Sequence, residues 1–337
     1  MTIKDIAKES GYSVGTVSRV LNHAPGVSDK ARARVMEVVK KNHFRLNNNA
    51  RYLKKQSMDG IAIIIKGTQN MLFASIVEQL QGLIKKENYD CMVYYIDECD
   101  NEVETAIEIC NDRRPEGIMF LGSNKDYFTK SFSQIKTPCV LVTSSAEEMG
   151  YDNLSSIATN DEEAAEYIMK YLLDLGHRNI GILGGNMDIS KGAVDRYQGC
   201  MKALEKNGIS FDPERQYETG FFSVGDGYRA MENLLNKMPE VTGVFANCDA
   251  MAVGAIRAIF DRGLRVPDDI SVAGFDGIDI GRYINPRLTT IRQHRESLAV
   301  NAVEILLSHI DDPDLPPVHL LEPFHLVNGE SAKQVGV

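Results

Sequence analysis

A helical face near the amino terminus combines small, polar and basic residues at helical spacing. Positions 14 and 18, and positions 15 and 19, are four residues apart, so their side chains share one side of a helix. These residues are Val14, Gly15, Ser18 and Arg19. A small, polar and basic face of this kind fits the major groove. An ordinary three-helix bundle without a nucleic-acid partner is the alternative.

The residues around this helix have the spacing of a helix-turn-helix. Small Ala7 lets two helices approach, Gly11 makes the tight turn between them, and Val17 holds the second helix on the first. Ser28 suits the N-cap of a third helix. The sequence therefore predicts a small all-α head over residues 1–43.

Charge is distributed unevenly along the chain. Residues 1–58 hold twelve lysines and arginines and four acidic residues, a net charge of +8. The remainder holds 25 basic and 43 acidic residues, a net charge of -18. A basic head on an acidic body indicates a polyanionic partner at one end, and a solvated basic face without a partner is the alternative.

Motifs that would indicate an enzyme fail in their context. Residues 11–15 fit the G-x-S-x-G pattern of hydrolases, but the serine is not preceded by a strand. Residues 225–230 fit G-x-G-x-x-A, but Asp226 would repel a pyrophosphate. The seven histidines lack metal-ligand spacing, and the six cysteines include no CxxC pair. We therefore expect no catalytic residues, no cofactor and no metal.

The composition is that of a globular chain of about two domains. The sequence has 337 residues, of which 43% are hydrophobic and 25% charged. It contains no apolar run of about 18 residues and no signal-peptide pattern at its start. We expect a cytoplasmic protein with reduced thiols and no membrane partner.

From Gly60 onward, short β-rich apolar runs alternate with amphipathic helical stretches. This alternation predicts parallel sheets covered by helices on both faces, arranged as two doubly wound lobes with a ligand crevice between them. The predicted fold is a small helix-turn-helix head and a two-lobed α/β core. The predicted boundaries are 1–43 for the head, 44–59 for a hinge helix and linker, 60–159 plus 291–320 for the first lobe, and 160–290 plus 321–337 for the second.

Asp276 ends an apolar predicted strand, Ile270–Phe275, where a carboxylate suits hydrogen bonds to ligand hydroxyls. The acidic run Asp161–Glu163 is interpreted differently, as solvated charges at the start of a helix.

Several segments resemble the LacI/GalR family of bacterial transcription regulators. Residues 2–7 (TIKDIA) and 16–22 (TVSRVLN) resemble the family's head, and residues 44–53 resemble its hinge helix. Further matches in the core are Arg196–Gly199, Val266–Val272, Gly274–Asp276 and Leu288–Ile291. The resemblance covers nearly the whole chain in the family's order. It implies a periplasmic-binding-protein-like core, a homodimer, and repression of transcription controlled by a small molecule.

The resemblance also implies roles toward a pseudo-palindromic double-stranded DNA operator. Base edges would be contacted by Val14, Gly15 and Arg19, and phosphates by Thr2, Ser13, Thr16, Asn22 and Ser28. The minor groove would be contacted by the hinge residues Asn47, Ala50 and Leu53, with Leu53 wedged into a central CG step. Leu46 stands where the family often has proline, so we expect a hinge helix that is weakly stable without DNA.

In the crevice, the resemblance implies eight effector-binding positions. They are Asn70, Phe73, Ser123, Arg196, Phe222, Cys248, Asp276 and Gln293. Cys248 departs from the family, which often has asparagine there, and a thiol is a poor hydrogen-bond partner. A sugar or a related polyol is favoured over a purine. The sequence does not decide whether the ligand induces or corepresses.

Three classes of function compete at this point. The first is a ligand-responsive DNA-binding repressor, which includes a regulator that answers to a corepressor or a protein partner. The second is a two-lobed solute-binding protein, which would need a signal peptide and no basic head. The third is an enzyme, for which the sequence offers no set of catalytic residues once the motif matches above are excluded. The sequence favours the first.

Overall fold

The computed structural model describes residues 3–21, 27–41 and 60–335. These residues form two compact units, divided between positions 57 and 58. In the described part of the first unit, the helices are α1 (Ile3–Ser10), α2 (Val14–Leu21) and α3 (Asp29–Lys41). Their buried side chains form a small core of Ile6, Ala7, Val17, Val20, Val35 and Val38.

The turn and the caps of this unit follow from particular residues. Gly11 has a φ of 76°, a left-handed conformation that glycine adopts without strain, and its N–H donates to the Ala7 carbonyl. The Ser28 hydroxyl accepts from the backbone N–H of Ala31 at 3.3 Å, so Ser28 caps α3 as predicted. The helix-turn-helix expected from the sequence is confirmed.

Within residues 60–335 the second unit contains two six-stranded sheets, one in each lobe. The strands of the first sheet are β1 (Gly60–Lys66), β2 (Asp90–Ile96), β3 (Gly117–Leu121), β4 (Cys139–Val142), β5 (Leu154–Thr159) and β11 (His319–Glu322). They have the order β11-β5-β4-β3-β1-β2, and all of them are parallel. The helices of this lobe are α4 (Met71–Lys86), α5 (Glu102–Asp112), α6 (Lys125–Ser131) and α12 (Arg295–Asp311).

The strands of the second sheet are β6 (Ile180–Gly185), β7 (Tyr217–Gly220), β8 (Gly243–Ala246), β9 (Ser271–Asp276), β10 (Thr289–Gln293) and β12 (Phe324–Val327). They have the order β12-β10-β9-β8-β6-β7, and only β12 runs antiparallel among the described strands. The helices of this lobe are α7 (Asp161–Asp174), α8 (Lys191–Lys206), α9 (Pro213–Gln216), α10 (Val224–Lys237) and α11 (Asp249–Asp261).

The apolar strands are continuous because helices cover both faces of each sheet. In β1, Ile61, Ile63 and Ile65 pack beneath α4 and α12, while Ala62 and Ile64 pack on the opposite side. Every residue of β1 is buried. The predicted pair of doubly wound lobes is confirmed. In the described part of the chain, no helix is long and apolar enough to cross a membrane.

Two of the predicted lobe boundaries are wrong by a few residues. Strand β10 lies wholly in the second sheet, so the chain passes to the first lobe after Gln293 and not at 290/291. Strand β11 lies in the first sheet up to Glu322, so the last crossing comes after 322 and not at 320/321. An apolar strand pattern shows that a strand is buried, but it does not show which sheet the strand joins.

Candidate effector cavity and DNA-reading face

A cavity of about 720 Å³, including its open mouth, lies between the two lobes of the core. Its wall is built from loops that follow parallel strands of both sheets, the usual position of ligand sites in such folds. Six of the eight residues predicted to bind an effector line this wall. They are Asn70, Phe73, Ser123, Arg196, Phe222 and Asp276.

Arg196, on α8, is buried at the centre of a charged cluster. Its Nε donates to Asp161 Oδ2 at 3.2 Å, and its Nη2 lies 3.4 Å from Asp276 Oδ1. Its Nη1 donates to the Asn247 carbonyl at 2.5 Å, and its guanidinium carbon lies 3.8 Å from the centre of the Phe275 ring. These contacts hold the guanidinium rigidly between two carboxylates.

Burial dominates the ionisation of both carboxylates. Loss of hydration raises the pKa of Asp161 from 3.8 to about 6, and Arg196 only partly opposes this rise. Burial likewise raises the pKa of Asp276 to about 6. The cluster therefore carries two negative charges and one positive charge above about pH 6, and it attracts hydrogen-bond donors into the cavity.

Two oxygens on the cavity wall are buried without a hydrogen-bond partner among the described residues. They are the Ser123 hydroxyl and the Oδ1 atom of Asp161. A buried polar atom without a partner is costly, and native structures rarely leave one unsatisfied. A polar ligand in the cavity would supply the missing hydrogen bonds.

Backbone strain is also concentrated at this wall. In the described part of the chain, five residues other than glycine have a positive φ. Three of them, Thr143, Phe222 and Asp276, line the cavity, with φ values of 75°, 54° and 104°. Such conformations cost about 1–3 kcal/mol each and cluster at ligand sites, because the surrounding structure holds the side chain in one orientation.

The other candidate site is the exposed face of α2. Val14 is 42% exposed, and Gly15 and Arg19 are exposed beside it. The backbone N–H of Thr16 donates to the Ser13 hydroxyl at 3.1 Å, which caps the start of α2. The predicted DNA contacts Thr2, Asn22, Asn47, Ala50 and Leu53 lie outside the described residues.

Comparison with known proteins decides the family. Residues 2–47 match the model of bacterial regulatory proteins of the lacI family, and residues 169–332 match the model of a periplasmic binding protein-like domain. The HTH-type transcriptional regulator MalR of Clostridium butyricum is 35% identical over 316 residues, which are 92% of this chain and 93% of that protein. The chain belongs to the LacI family.

Two further similarities support this membership. The HTH-type transcriptional repressor PurR of Histophilus somni is 32% identical over 317 residues, which are 92% of each chain. A crystal structure of the lac repressor dimer bound to operator and an anti-inducer matches with a TM-score of 0.80 and 26% identity, covering 99% of each chain. The protein is a DNA-binding transcriptional repressor. The lacI-family head therefore decides against the solute-binding alternative, and the relatives compared are regulators, not enzymes.

Within this LacI-family core, two of the predicted effector contacts lie behind the cavity wall. Cys248 caps α11, where its sulfur accepts from the Met251 N–H at 3.5 Å, and burial raises the pKa of its thiol. Gln293 donates from Nε2 to Asp276 Oδ1 at 2.8 Å and so supports a wall residue. Neither residue lines the cavity among the described residues, so their direct contact with a ligand stays a prediction.

Two further residues of the cavity wall, Asp161 and Lys66, were not predicted from the sequence. Asp161 is 6% exposed, so its interpretation as a solvated charge is wrong. The available signal was its position directly after β5, which matches the position of Asp276 at the end of β9. Lys66 ends β1 in the same way and also lines the cavity.

Proposed function

We propose that this repressor's affinity for its operator is controlled by a neutral sugar or a related polyol bound in the inter-lobe cavity. The observation that carries the proposal is the pair of unpartnered buried oxygens, Ser123 Oγ and Asp161 Oδ1, on the cavity wall. A hydroxyl can donate to a carboxylate and can also bond to another hydroxyl, so a polyol satisfies both atoms. The wall also offers the rings of Phe73, Phe221 and Phe222, against which the C–H face of a sugar can pack.

The charges on the wall favour a neutral ligand over a phosphate or a carboxylate. Lys66 is not available to bind an anion, because its ammonium donates to Glu102 at 2.6 Å. The other cation among the described residues of the cavity wall, Arg196, lies between two aspartates. The carboxylates that line the cavity are Glu98, Asp161 and Asp276. An anionic ligand would meet this excess of negative charge at low dielectric.

The test is a thermal-shift screen with neutral sugars, sugar phosphates, nucleosides and purines. A ligand at about 100 times its Kd adds about 2.7 kcal/mol of stability, which raises the Tm by roughly 5–10 °C. We expect a neutral sugar to give this shift in the wild type and in D174N, a control that removes an exposed carboxylate from the same helix. D161N should lose most of the shift.

Other outcomes of this screen would overturn the proposal. A shift with purines and none with sugars would assign the cavity to a planar base. A sugar shift of equal size in D161N would show that the ligand binds elsewhere. No shift with any compound would favour the alternative of a protein partner.

On DNA, we propose that base edges are contacted by Val14, Gly15 and Arg19. Phosphates are contacted by Ser13, Thr16 and Ser28. Val14 offers apolar contact to a thymine methyl, and Arg19 offers a guanidinium fork for guanine. Exposure of this face of α2 supports the assignment. The proposal extends to Thr2, Asn22 and the hinge contacts of Asn47, Ala50 and Leu53 at a central CG step.

We further propose a homodimer on a pseudo-palindromic operator. The similar lac repressor supports it, because that protein was crystallised as a dimer bound to operator. A symmetric pair of heads would meet two half-sites of one operator. Light scattering of the full chain should give the mass of two copies, and a monomer at working concentrations would contradict the proposal.

A further inference from the structure

Among the described residues, two hydrogen bonds join the β3–α6 loop of the first lobe to the β6–α8 loop and the first residue of α8 in the second. The Ser123 carbonyl accepts from the Lys191 N–H at 3.2 Å, and Asn124 Nδ2 donates to the Asp188 carbonyl at 3.1 Å. Ser123 lines the effector cavity, whereas Asn124, Asp188 and Lys191 line a wider groove outside it. The contact, which we term the inter-lobe latch, therefore lies at the boundary between the cavity and the groove.

The amide of Asn124 is held in one orientation. Its Oδ1 accepts from the Asp126 N–H at 3.0 Å and so caps α6. This hydrogen bond requires the oxygen, which leaves the Nδ2 group to point at the Asp188 carbonyl. Asn124 can therefore bridge the lobes only in the arrangement that brings Asp188 within reach.

The backbone of Asn124 is anchored to a buried ion pair beside the cavity. Its N–H donates to Glu102 Oε1 at 2.6 Å, and Glu102 Oε2 accepts from Lys66 Nζ at 2.6 Å. The side chains of Lys66 and Glu102 are 5% and 0% exposed. Lys66 also donates to the Asp100 carbonyl at 2.7 Å and lies 4.5 Å from the centre of the Tyr127 ring. A paired and fully bonded ion pair of this kind is rigid, so it fixes the loop that carries the latch.

We propose that Asn124 is a positioning residue that holds the two lobes together over the effector, and that Glu102 and Lys66 set its position from the cavity wall. This inference rests on the proposed function only in taking the cavity to be the effector site. Asn124 need not touch the ligand. Its hydrogen bond to Asp188 slows the opening through which a ligand leaves the cavity.

The test uses N124D in the full chain, with N101D as the matched control. The aspartate at 124 keeps the size and the capping oxygen but replaces the Nδ2 donor by an oxygen facing the Asp188 carbonyl. Asn101 caps α5 in the same way, accepting from Val103 and Glu104, and its hydrogen bonds stay within the first lobe. Comparing the two variants separates loss of the latch from the effects of a new charge at a helix cap.

The first readout is hydrogen–deuterium exchange of the peptide that contains Lys191, because the Lys191 N–H is itself part of the latch. A net hydrogen bond corresponds to about a two- to twelvefold change in an opening equilibrium. We expect this peptide to exchange faster by about that factor in N124D and at the wild-type rate in N101D. Equal exchange in N124D, N101D and the wild type would overturn the proposal, and so would equal acceleration in both variants.

A second pair of variants tests the anchoring of Asn124. K66M/E102Q removes both buried charges but keeps an oxygen for the Asn124 N–H, whereas K66M/E102L removes that oxygen as well. We expect the Lys191 peptide to exchange faster in K66M/E102L than in K66M/E102Q. The same exchange in both double variants would refute the role of Glu102.

The second readout is the dissociation rate of D-ribose, D-glucose or cellobiose, whichever shifts the Tm most. We expect dissociation from N124D to be about two- to twelvefold faster, with little change in the association rate. If no sugar binds, the proposed function fails while the exchange difference between N124D and N101D still tests the latch. If sugars bind and dissociate from N124D and N101D at the same rate, the latch proposal fails and the proposed function stands.

Discussion

The two carboxylates around Arg196 should make the protein more stable, relative to a variant lacking one of them, as the pH falls from about 7 to about 5. Each has a folded pKa of about 6 and an ordinary value of 3.8. A group whose pKa is raised on folding contributes stability below its unfolded pKa, and that contribution is lost as the pH rises through the folded value. At a pH between 3.8 and about 6, the two carboxyls are therefore mostly protonated in the native state and mostly ionised in the unfolded state.

The size of the effect follows from the same values. A carboxylate with a folded pKa of about 6 gains about 1.3 kcal/mol of stability between about pH 7 and about pH 5. In D161N one carboxylate is absent, and the pKa of Asp276 falls because Arg196 then forms an ion pair with Asp276 alone. We therefore expect the wild type to gain about 1.3 to 2.6 kcal/mol relative to D161N over this interval.

Urea unfolding followed by circular dichroism measures the difference, since the chain has no tryptophan for fluorescence. D174N is the control, because Asp174 is exposed and pairs with Lys170 at the surface. A difference between the wild type and D161N that does not vary with pH would refute the reasoning. A relative loss of stability of the wild type at about pH 5 would show that the ion pairs with Arg196 outweigh the burial of the carboxylates.

Three other predictions concern packing, DNA contact and ligand charge. Gly199→Ala should lower the free energy of unfolding in urea by about 1–3 kcal/mol, because the new Cβ would lie 2.0 Å from the Glu162 carbonyl oxygen. Gly82→Ala, the control, meets open space in α4 and should be neutral or stabilising. Equal effects of the two substitutions would contradict this prediction. Exchanging Val14 and Gly15 should change which operator is preferred in a selection from random DNA, and an equal loss of affinity for every sequence would argue against base contact. Phosphorylated forms of a bound sugar should bind at least about tenfold more weakly by calorimetry, and tighter binding would show that Lys66 is released from Glu102.

The helices and strands could be predicted because they depend on local pattern, whereas most of the cavity wall was expected from the resemblance to the LacI/GalR family. Continuous apolar runs identified the buried strands, and Asp276 stood out because a carboxylate closes one of them. The resemblance implied Asn70, Phe73, Arg196 and Phe222, and all four line the cavity, where the ends of parallel strands meet at one edge.

What the sequence could not show was how buried polar groups would pair. In the sequence Asp161 resembles a surface acid. In the structure it accepts a hydrogen bond from Arg196, which lies 35 residues later in the chain. The sequence placed Gln293 at the ligand crevice but could not show that its amide donates to Asp276. Cys248 looks like a lost contact until its sulfur is found at the N-cap of α11. These pairings depend on packing between distant segments, which spacing along the chain does not reveal.

The most direct test of the central claim is fluorescence anisotropy of an operator, obtained by selection from random DNA, with and without the sugar that shifts the Tm. Allosteric coupling between two sites usually changes affinity by about 5- to 150-fold. We predict a change of this size in the wild type and in D174N, and little or none in D161N. An operator Kd that stays the same in the wild type while the sugar is bound would contradict the claim that the cavity controls binding to DNA.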